Sequence, residues 1–189
     1  MFGIPSMRGM GGGGCGSYEA PAPKKESNII VNINSLIEQS KSEWQNSDPA
    51  TPFVNVLQCS DAYTLRSDWD EQLLFNIYFQ CPVKIHHIVI RAPELDAAPL
   101  MMKLFINKAP MSFSDMDSID PLEEIEIQEG ELDGDIILNY VKYQNVSNLT
   151  IFIENNRGGN DITEMNKLEI HGAPLHDTDM KNLKKVGWN

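Results

Sequence analysis

The sequence predicts an all-β protein, an antiparallel β-sandwich with a short N-terminal helix. From Phe53 onward, apolar residues recur at every second position, which is the period of a strand with one buried face. Glycine, proline and asparagine residues that favour turns separate these runs at short intervals. A crossover between parallel strands needs a helix of ~10–12 residues, and only the connection at Asp115–Asp120 offers even a stub of one. Antiparallel pairing in a sandwich is therefore favoured.

One domain with two terminal tails is the predicted organisation of the 189 residues. Residues 1–27 are rich in glycine and proline and poor in apolar side chains, so we expect a disordered tail there. Residues 28–176 form the predicted sandwich, and residues 177–189 form a basic C-terminal tail. Three apolar side chains of this tail recur at the spacing of a short amphipathic turn: Met180, Leu183 and Val186.

A short helix is predicted over residues 36–44, before the first strand. Ser35 and Glu38 have the spacing of a capping box, in which each side chain satisfies an otherwise unpaired amide at the start of a helix. Such a helix would turn Leu36 and Ile37 toward the domain.

Seven strand-like runs follow, each bounded by turn-forming residues. They cover residues 73–79, 83–90, 101–106, 122–127, 136–143, 149–153 and 165–170. Leu149, Ile151 and Ile153 share one face of their strand and should point into the core. Phe152 lies on the opposite face, so we expect it to contact a loop or the N-terminal helix.

Charge and targeting signals narrow the classes of function. Acidic residues number 27 against 15 basic ones, for a formal net charge of −12. Such a surface repels phosphate backbones and anionic lipid headgroups, so neither nucleic acid nor a membrane is the expected partner. The sequence contains neither an apolar run of the ~20 residues that cross a bilayer nor a secretory signal peptide. We therefore expect a monomeric protein in the cytoplasm or the nucleus.

No catalytic or metal-binding constellation stands out in the sequence. The three cysteines form no Cys-x-x-Cys pair, which argues against a redox dithiol or a zinc knuckle. His86 and His87 are adjacent in a predicted strand, so they should point to opposite faces and should be unable to share a metal ion. Neither Gly-x-Ser-x-Gly nor His-Glu-x-x-His occurs. The prediction is a protein that is not an enzyme and holds neither a cofactor nor a metal.

Three segments are candidate partner-binding sites, and the first is the acidic loop, residues 67–72. It contains Asp68, Trp69, Asp70 and Glu71 directly before a strand. The carboxylates could clamp a calcium ion, but they lack the spacing and the glycine of an EF-hand loop, and such side chains more often close a turn. Trp69 could be an exposed apolar anchor inside a rim of carboxylates, or it could fold back to cap the core.

The second candidate is the segment that contains Met111, Phe113 and Asp115. Met111 and Phe113 would be exposed apolar anchors, although Phe113 could equally fold back on the core. The third candidate is the C-terminal tail, through three basic side chains: Lys181, Lys184 and Lys185.

Ten carboxylates occupy the 21 positions from 115 to 135, with no lysine or arginine among them. We call this segment the acidic belt. A docking face for a basic partner would have this character, because complementary charge speeds encounter. A solvated sheet edge, kept soluble by its charges, would have it equally.

The order of several short motifs resembles a PITH domain. They are SDWDEQLLF at 67–75, PVKI at 82–85, KLFIN at 103–107, MSF at 111–113, YVKYQNV at 140–146, LTIFI at 149–153 and IHGAP at 170–174. The resemblance runs from about residue 30 to residue 186. It implies a jelly-roll sandwich akin to galactose-binding-like domains. It also implies a non-catalytic protein-binding role at the regulatory particle of the 26S proteasome.

Two further points follow from this resemblance. The family is named for its place at the C-terminus of a proteasome-interacting thioredoxin, but the residues before Asn28 contain no Cys-x-x-Cys. We therefore expect a stand-alone domain without thioredoxin activity. The competing hypothesis is a small-ligand module, because sandwiches of this kind elsewhere hold sugars in their loops. Asn155, Asn156 and Arg157 could hydrogen-bond a sugar beside Trp188.

Overall fold

Ten strands form the regular structure within residues 29–58 and 63–175, which are the residues that the computed structural model describes. They are β1 Val31–Asn32, β2 Glu43–Gln45, β3 Leu65–Arg66, β4 Leu73–Arg91, β5 Pro99–Ile106, β6 Glu123–Glu126, β7 Asp135–Ile137, β8 Val146–Asn156, β9 Glu164–Met165 and β10 Lys167–Pro174. One helical turn, α1, covers Val54–Leu57. All these strand pairs are antiparallel, which confirms the predicted class. The predicted tails, 1–27 and 177–189, lie outside the described residues.

The long strand β4 joins the two layers of the sandwich. Its first half pairs with β2 and β8, and its second half pairs with β7 and β10. The register with β8 shifts between Tyr78 and Val83, around Pro82, which has no amide to donate. Strands that pass from one sheet to the other bend at such irregularities. One layer is therefore ordered β2-β4-β8-β5-β6 and the other β1-β10-β4-β7. The two strands predicted at residues 73–79 and 83–90 are parts of the single strand β4.

The main core lies between these layers. Leu149, Ile151 and Ile153 of β8 are buried there, as predicted, with Ile88 and Ile90 of β4. Burying a side chain of this size contributes about 1.5–3 kcal/mol.

A second apolar cluster covers the outer face of the five-stranded layer. Leu74, Phe105 and Phe152 form its sheet side, while Met111 and Met116 come from the loop after β5. The expectation that Phe152 contacts a loop is confirmed. The central strand β8 is therefore covered on both faces.

The helix predicted over residues 36–44 is not formed. After one 3₁₀ turn, Ile37 pairs with Phe79 in an isolated bridge and the chain continues into β2. The Glu38 amide donates to the Tyr78 carbonyl at 2.7 Å, so β4 satisfies it in place of a helical turn. The capping-box spacing was misleading because pairing with the sheet buries Ile37 more completely than one turn of isolated helix could.

The strand predicted over residues 136–143 is also too long. It ends at Ile137, and Tyr140–Tyr143 forms a 3₁₀ turn. The Lys142 amide donates to the Asn139 carbonyl at 2.8 Å, which turns the chain and lets its last tyrosine reach the core. No helix in the described part of the chain is both long enough and apolar enough to cross a membrane.

Candidate functional site

The acidic loop lies at the end of the sandwich where β4 begins, and Asn46 organises its backbone. The Asn46 side chain donates to the carbonyls of Asp70 and Gln72 at 3.2 and 2.6 Å, and to Asp70 Oδ1 at 2.6 Å. Its oxygen accepts the Trp69 amide at 3.0 Å. Asn46 has a φ of 61°, in the left-handed region that asparagine adopts more readily than most residues.

Thr163 anchors the other side of the acidic loop. The Ser67 amide donates to the Thr163 carbonyl at 3.0 Å, and the Thr163 amide donates to Ser67 Oγ at 2.9 Å. The Thr163 hydroxyl donates to the Glu71 carbonyl at 2.6 Å. Both Ser67 and Thr163 are buried, so water does not compete for these bonds. A loop tied at both ends loses little conformational entropy when it binds a partner.

Trp69, at the tip of this loop, is 87% exposed, the largest fraction for any large apolar side chain in the described residues. The alternative in which it folds back on the core is wrong. Asp68 and Asp70 flank it and are exposed, and Glu71 is half-buried. The nearby Arg66 is paired with Glu164 at 3.0 Å. The indole therefore projects from a surface whose local charge is negative.

Met111 is buried, with 3% of its surface exposed, so the expectation of an exposed anchor is wrong for this residue. It packs in the second apolar cluster. Its amide donates to Asn76 Oδ1 at 3.1 Å, and Asn76 Nδ2 donates to its carbonyl at 2.8 Å. The Thr150 hydroxyl donates to the same Asn76 oxygen at 2.9 Å. The buried Asn76 side chain holds the loop on the sheet, because it satisfies both backbone groups of Met111.

Phe113 and Asp115 also have structural roles. The half-buried Phe113 ring meets Phe152 edge-on with 6.1 Å between centroids, which is the fold-back alternative foreseen for it. Asp115 Oδ2 accepts the Ser112 amide and the Ser112 hydroxyl, both at 2.8 Å. The amide hydrogen bond, supported by the hydroxyl, lowers the pKa of Asp115. This segment offers a partner far less apolar surface than the sequence suggested.

The adjacent residues Gln45 and Asn46 hydrogen-bond to the second and the first candidate segment, respectively. Gln45 Nε2 donates to the Met111 carbonyl at 3.2 Å, while its neighbour Asn46 binds the acidic loop. The lysines of the third candidate lie outside the described residues: Lys181, Lys184 and Lys185.

Part of the acidic belt is used within the protein. Asp133 accepts from Arg91 at 2.9 Å and lies 3.2 Å from the Lys167 ammonium, and the Arg91 bond is the main cause of its lowered pKa. Glu124 and Glu126 are exposed on β6, which is an edge strand. This placement favours the solvated-edge interpretation, because charged side chains discourage pairing at an open edge.

His86 and His87 lie on the same side of β4, contrary to prediction. The register between β4 and β10 shifts so that His171 faces His87 and Gly172 faces Ile85, which leaves His86 as the extra residue of a bulge. Their Nδ1 atoms are 3.0 Å apart, and the His87 ring stacks on His171 at 4.4 Å. Burial is the main cause of a lowered His87 pKa. Within residues 29–58 and 63–175, no three His, Cys, Asp or Glu side chains are arranged to hold a metal ion.

The side chains suggested for sugar binding are occupied inside the protein. Asn155 Oδ1 accepts an amide of β5 at 3.1 Å. Asn156 donates to two carbonyls of the loop that follows it, at 2.7 and 3.1 Å. The Arg157 guanidinium donates to the Ile127 carbonyl. Trp188 lies outside the described residues.

Comparison with known families settles the ancestry of the sandwich. The family model described as PITH domain matches residues 23–187. The chain belongs to the PITH domain family. The resemblance drawn from the short motifs is thereby confirmed. The family match continues past Leu175, the last described residue, into the C-terminal segment.

The chain covers different shares of its curated relatives. Over 163 residues the chain is 32% identical to thioredoxin-like protein 1 of Schizosaccharomyces pombe, covering 83% of the chain but 56% of that protein. Over 170 residues it is 28% identical to PITH domain-containing protein 1 of Homo sapiens, covering 86% of the chain and 79% of that protein. It therefore spans little more than half the length of the first relative.

Solved structures of similar fold confirm the jelly-roll, galactose-binding-like architecture. A family 32 CBM from C. perfringens NanJ, in complex with galactose, has a TM-score of 0.57 at 10% identity, covering 76% of this chain and 99% of that one. A fucolectin from Morone saxatilis serum has a TM-score of 0.52 at 12% identity, covering 77% and 50%. Identity this low shows the fold alone.

Asn46 and Thr163 were missed by sequence reasoning, although they shape the acidic loop. Asn46 precedes a Ser-Asp-Pro turn, and an asparagine there is a weak signal for left-handed backbone. Thr163 contacts Ser67 across 96 positions of sequence, and no local pattern marks such a pair.

Proposed function

We propose that this chain is a non-catalytic protein-binding adaptor that docks on the regulatory particle of the 26S proteasome, with the acidic loop as its docking element. The observation that carries this proposal is the exposure of Trp69 on a loop held by Asn46 and Thr163. Tryptophan is enriched among the residues that dominate interface energies. The partner is inferred from the PITH family, which takes its name from proteasome-interacting thioredoxins.

In this proposal Trp69 inserts into an apolar pocket of the partner, while Asp68 and Glu71 face basic groups at its rim. Rim charges mainly raise the association rate and make it dependent on salt. Removing a central tryptophan from an interface costs about 2 kcal/mol or more, which is roughly a 30-fold loss of affinity. The compartment implied is the cytoplasm or the nucleus.

A sugar-binding role has less support from the described residues. The solved structures of similar fold include proteins in complex with galactose and with GalNAc. In this chain, however, Asn155 bonds the amide of Met101 in β5, and Asn156 and Arg157 donate to backbone carbonyls within the protein. A ligand would have to displace these internal bonds, and each displaced buried group would be left unpaired.

The test is affinity purification of the tagged full-length chain, with proteasome subunits quantified by mass spectrometry. Trp69→Ala should reduce recovery of regulatory-particle subunits at least tenfold. Tyr63→Ala removes another exposed aromatic side chain and should leave recovery unchanged. A variant with Lys181, Lys184 and Lys185 changed to Glu tests the third candidate segment in the same experiment.

Two results would contradict the proposal in different ways. If the wild-type chain recovers no more proteasome subunits than a β-sandwich of similar charge, the adaptor role is wrong. If the wild type recovers them and Trp69→Ala does so equally well, the acidic loop is not the docking element.

A further inference from the structure

A second surface, away from the acidic loop, is an apolar cleft of about 260 Å³ on the outer face of the four-stranded layer. Two strands of that layer line it, β4 with Lys84 and His86 and β10 with Gly172 and Ala173. Ile30, just before β1, and Tyr140, in the turn after β7, complete the lining. Val31 and Val141, which follow the lining residues Ile30 and Tyr140 in the chain, are 45% and 76% exposed, and Ile137 of β7 is 59% exposed. Large exposed apolar areas are often covered by another segment or molecule, so the cleft is a candidate for such a contact.

The chain leaves the described region next to this cleft. Ala173 lines the cleft, and two residues later the Leu175 amide donates to the Pro82 carbonyl at 2.8 Å. Residues 176–189 come directly after this bond. The family match continues through residue 187, so most of this C-terminal segment belongs to the domain that the family shares.

We propose that the C-terminal segment, residues 176–189, folds back and covers the cleft with its own apolar side chains. Those side chains recur at the spacing of one amphipathic face: Met180, Leu183 and Val186. Between Leu175 and Met180 an extended chain spans up to ~17 Å, whereas Ala173 lies only ~7 Å of strand before Leu175. A reversal of about four residues therefore leaves enough chain to reach the cleft.

This arrangement matches the distribution of charge in the segment. The lysines lie at positions between the apolar ones, so an amphipathic turn on the cleft leaves them in water: Lys181, Lys184 and Lys185. Leaving them in water avoids the desolvation that burying an unpaired ammonium group would cost.

The covered cleft would place these lysines far from Trp69. Val83 faces Val146 and Leu73 faces Ile153, so the two ends of β4's first half are separated by seven residues of β8, or ~23 Å. A partner that contacts both the acidic loop and the lysines would have to span that distance. The intramolecular contact itself does not depend on what the acidic loop binds.

Amide NMR spectra and hydrogen exchange of the full-length chain test the proposal. One variant carries Met180→Asp, Leu183→Asp and Val186→Asp, which removes the apolar face. Its matched control carries Lys181→Asp, Lys184→Asp and Lys185→Asp, which puts the same residue type into the same segment. In the first variant the amide signals of Ile30, Tyr140 and Ala173 should move and their exchange should quicken at least fivefold. In the control these amides should stay as in the wild type.

A reciprocal variant, Tyr140→Asp, changes the cleft and leaves the segment intact. The Tyr140 side chain is exposed, and its carbonyl keeps the bond from Gln144, so the fold should tolerate the change. The heteronuclear NOE of amides 180–186 should fall to values typical of a free chain end.

Each of three other outcomes would overturn the proposal. If nothing in the segment contacted the cleft, the chemical shifts and exchange rates of the cleft amides would be the same in both triple variants as in the wild type. Their shifts would grow with protein concentration if a second copy were the occupant. They would move on deletion of residues 1–27, and not in the apolar triple variant, if the N-terminal segment were the occupant.

Discussion

Substitution of Asn46 provides a direct test of how the acidic loop is held. Asn46→Ala removes four side-chain hydrogen bonds to the loop and places alanine at a φ of 61°. Three of the four bonds are exposed and the fourth is partly buried, so we assign each of the four about 0.5 kcal/mol, the low end of the usual range, or about 2 kcal/mol together. The left-handed backbone adds about 1 kcal/mol for alanine. The free energy of unfolding should therefore fall by about 3 kcal/mol.

Asn46→Gly is the matched variant, because glycine tolerates the same φ but makes none of the four bonds. It should cost about 2 kcal/mol, and the difference from alanine measures the backbone contribution. Urea unfolding followed by circular dichroism gives both free energies. Exchange of the Trp69 amide, whose acceptor is lost, should quicken at least tenfold in both variants.

The reasoning would be refuted if both variants unfolded within 0.5 kcal/mol of the wild type and the Trp69 amide kept its protection. In that case Thr163 alone would suffice to hold the loop. If stability fell as expected, both variants should also recover less proteasome than the wild type while still carrying Trp69, because a disordered loop loses more entropy on binding.

Three further predictions concern stability. Gly172→Ala should lower the free energy of unfolding by about 3 kcal/mol or more in thermal unfolding, because the added Cβ would lie 1.9 Å from the Lys84 carbonyl oxygen. Gly130→Ala is the control and should be neutral, because the added Cβ would have nothing within 4 Å. Equal effects of the two substitutions would contradict the bulge geometry. Asn76→Ala should cost about 3–5 kcal/mol, since it leaves a buried amide and a buried carbonyl unpaired, and a melting temperature near that of the wild type would rule this out. Burial lowers the pKa of His87 from 6.5, so on acidification the unfolded chain takes up a proton at a higher pH than the folded protein does. The free energy of unfolding should therefore decline as the pH falls below about 6.5. His87→Gln should flatten that part of the pH profile, and an unchanged profile would assign it to other groups.

The alternation of apolar residues predicted most of the sheet correctly. Leu149, Ile151 and Ile153 point into the core, and Phe152 packs against a loop on the other face, because side chains in a strand alternate between its faces. The break predicted between residues 79 and 83 was wrong, since β4 runs through Pro82 by changing partners. Local sequence marks a residue that cannot donate a hydrogen bond, but it does not show whether the strand ends there or bends.

The binding surface was predicted less completely than the fold. Trp69 is exposed, but Met111 is buried, and both occur in loops beside acidic side chains. The difference comes from Asn76, a strand residue that captures both backbone groups of Met111, and from the sheet face that needed covering. Neither cause is visible within a few residues of Met111 in the sequence.

By itself, then, the sequence determined the antiparallel sandwich, the negative charge and the family, because periodicity, composition and motif order are properties of the chain alone. Tertiary structure decided which aromatic side chain reaches water, how β4 divides between two layers, and that His86 and His87 share one side of a bulge. These features depend on contacts such as Ser67 with Thr163, which form only when distant segments are packed together. Their energies are therefore absent from any short stretch of the chain.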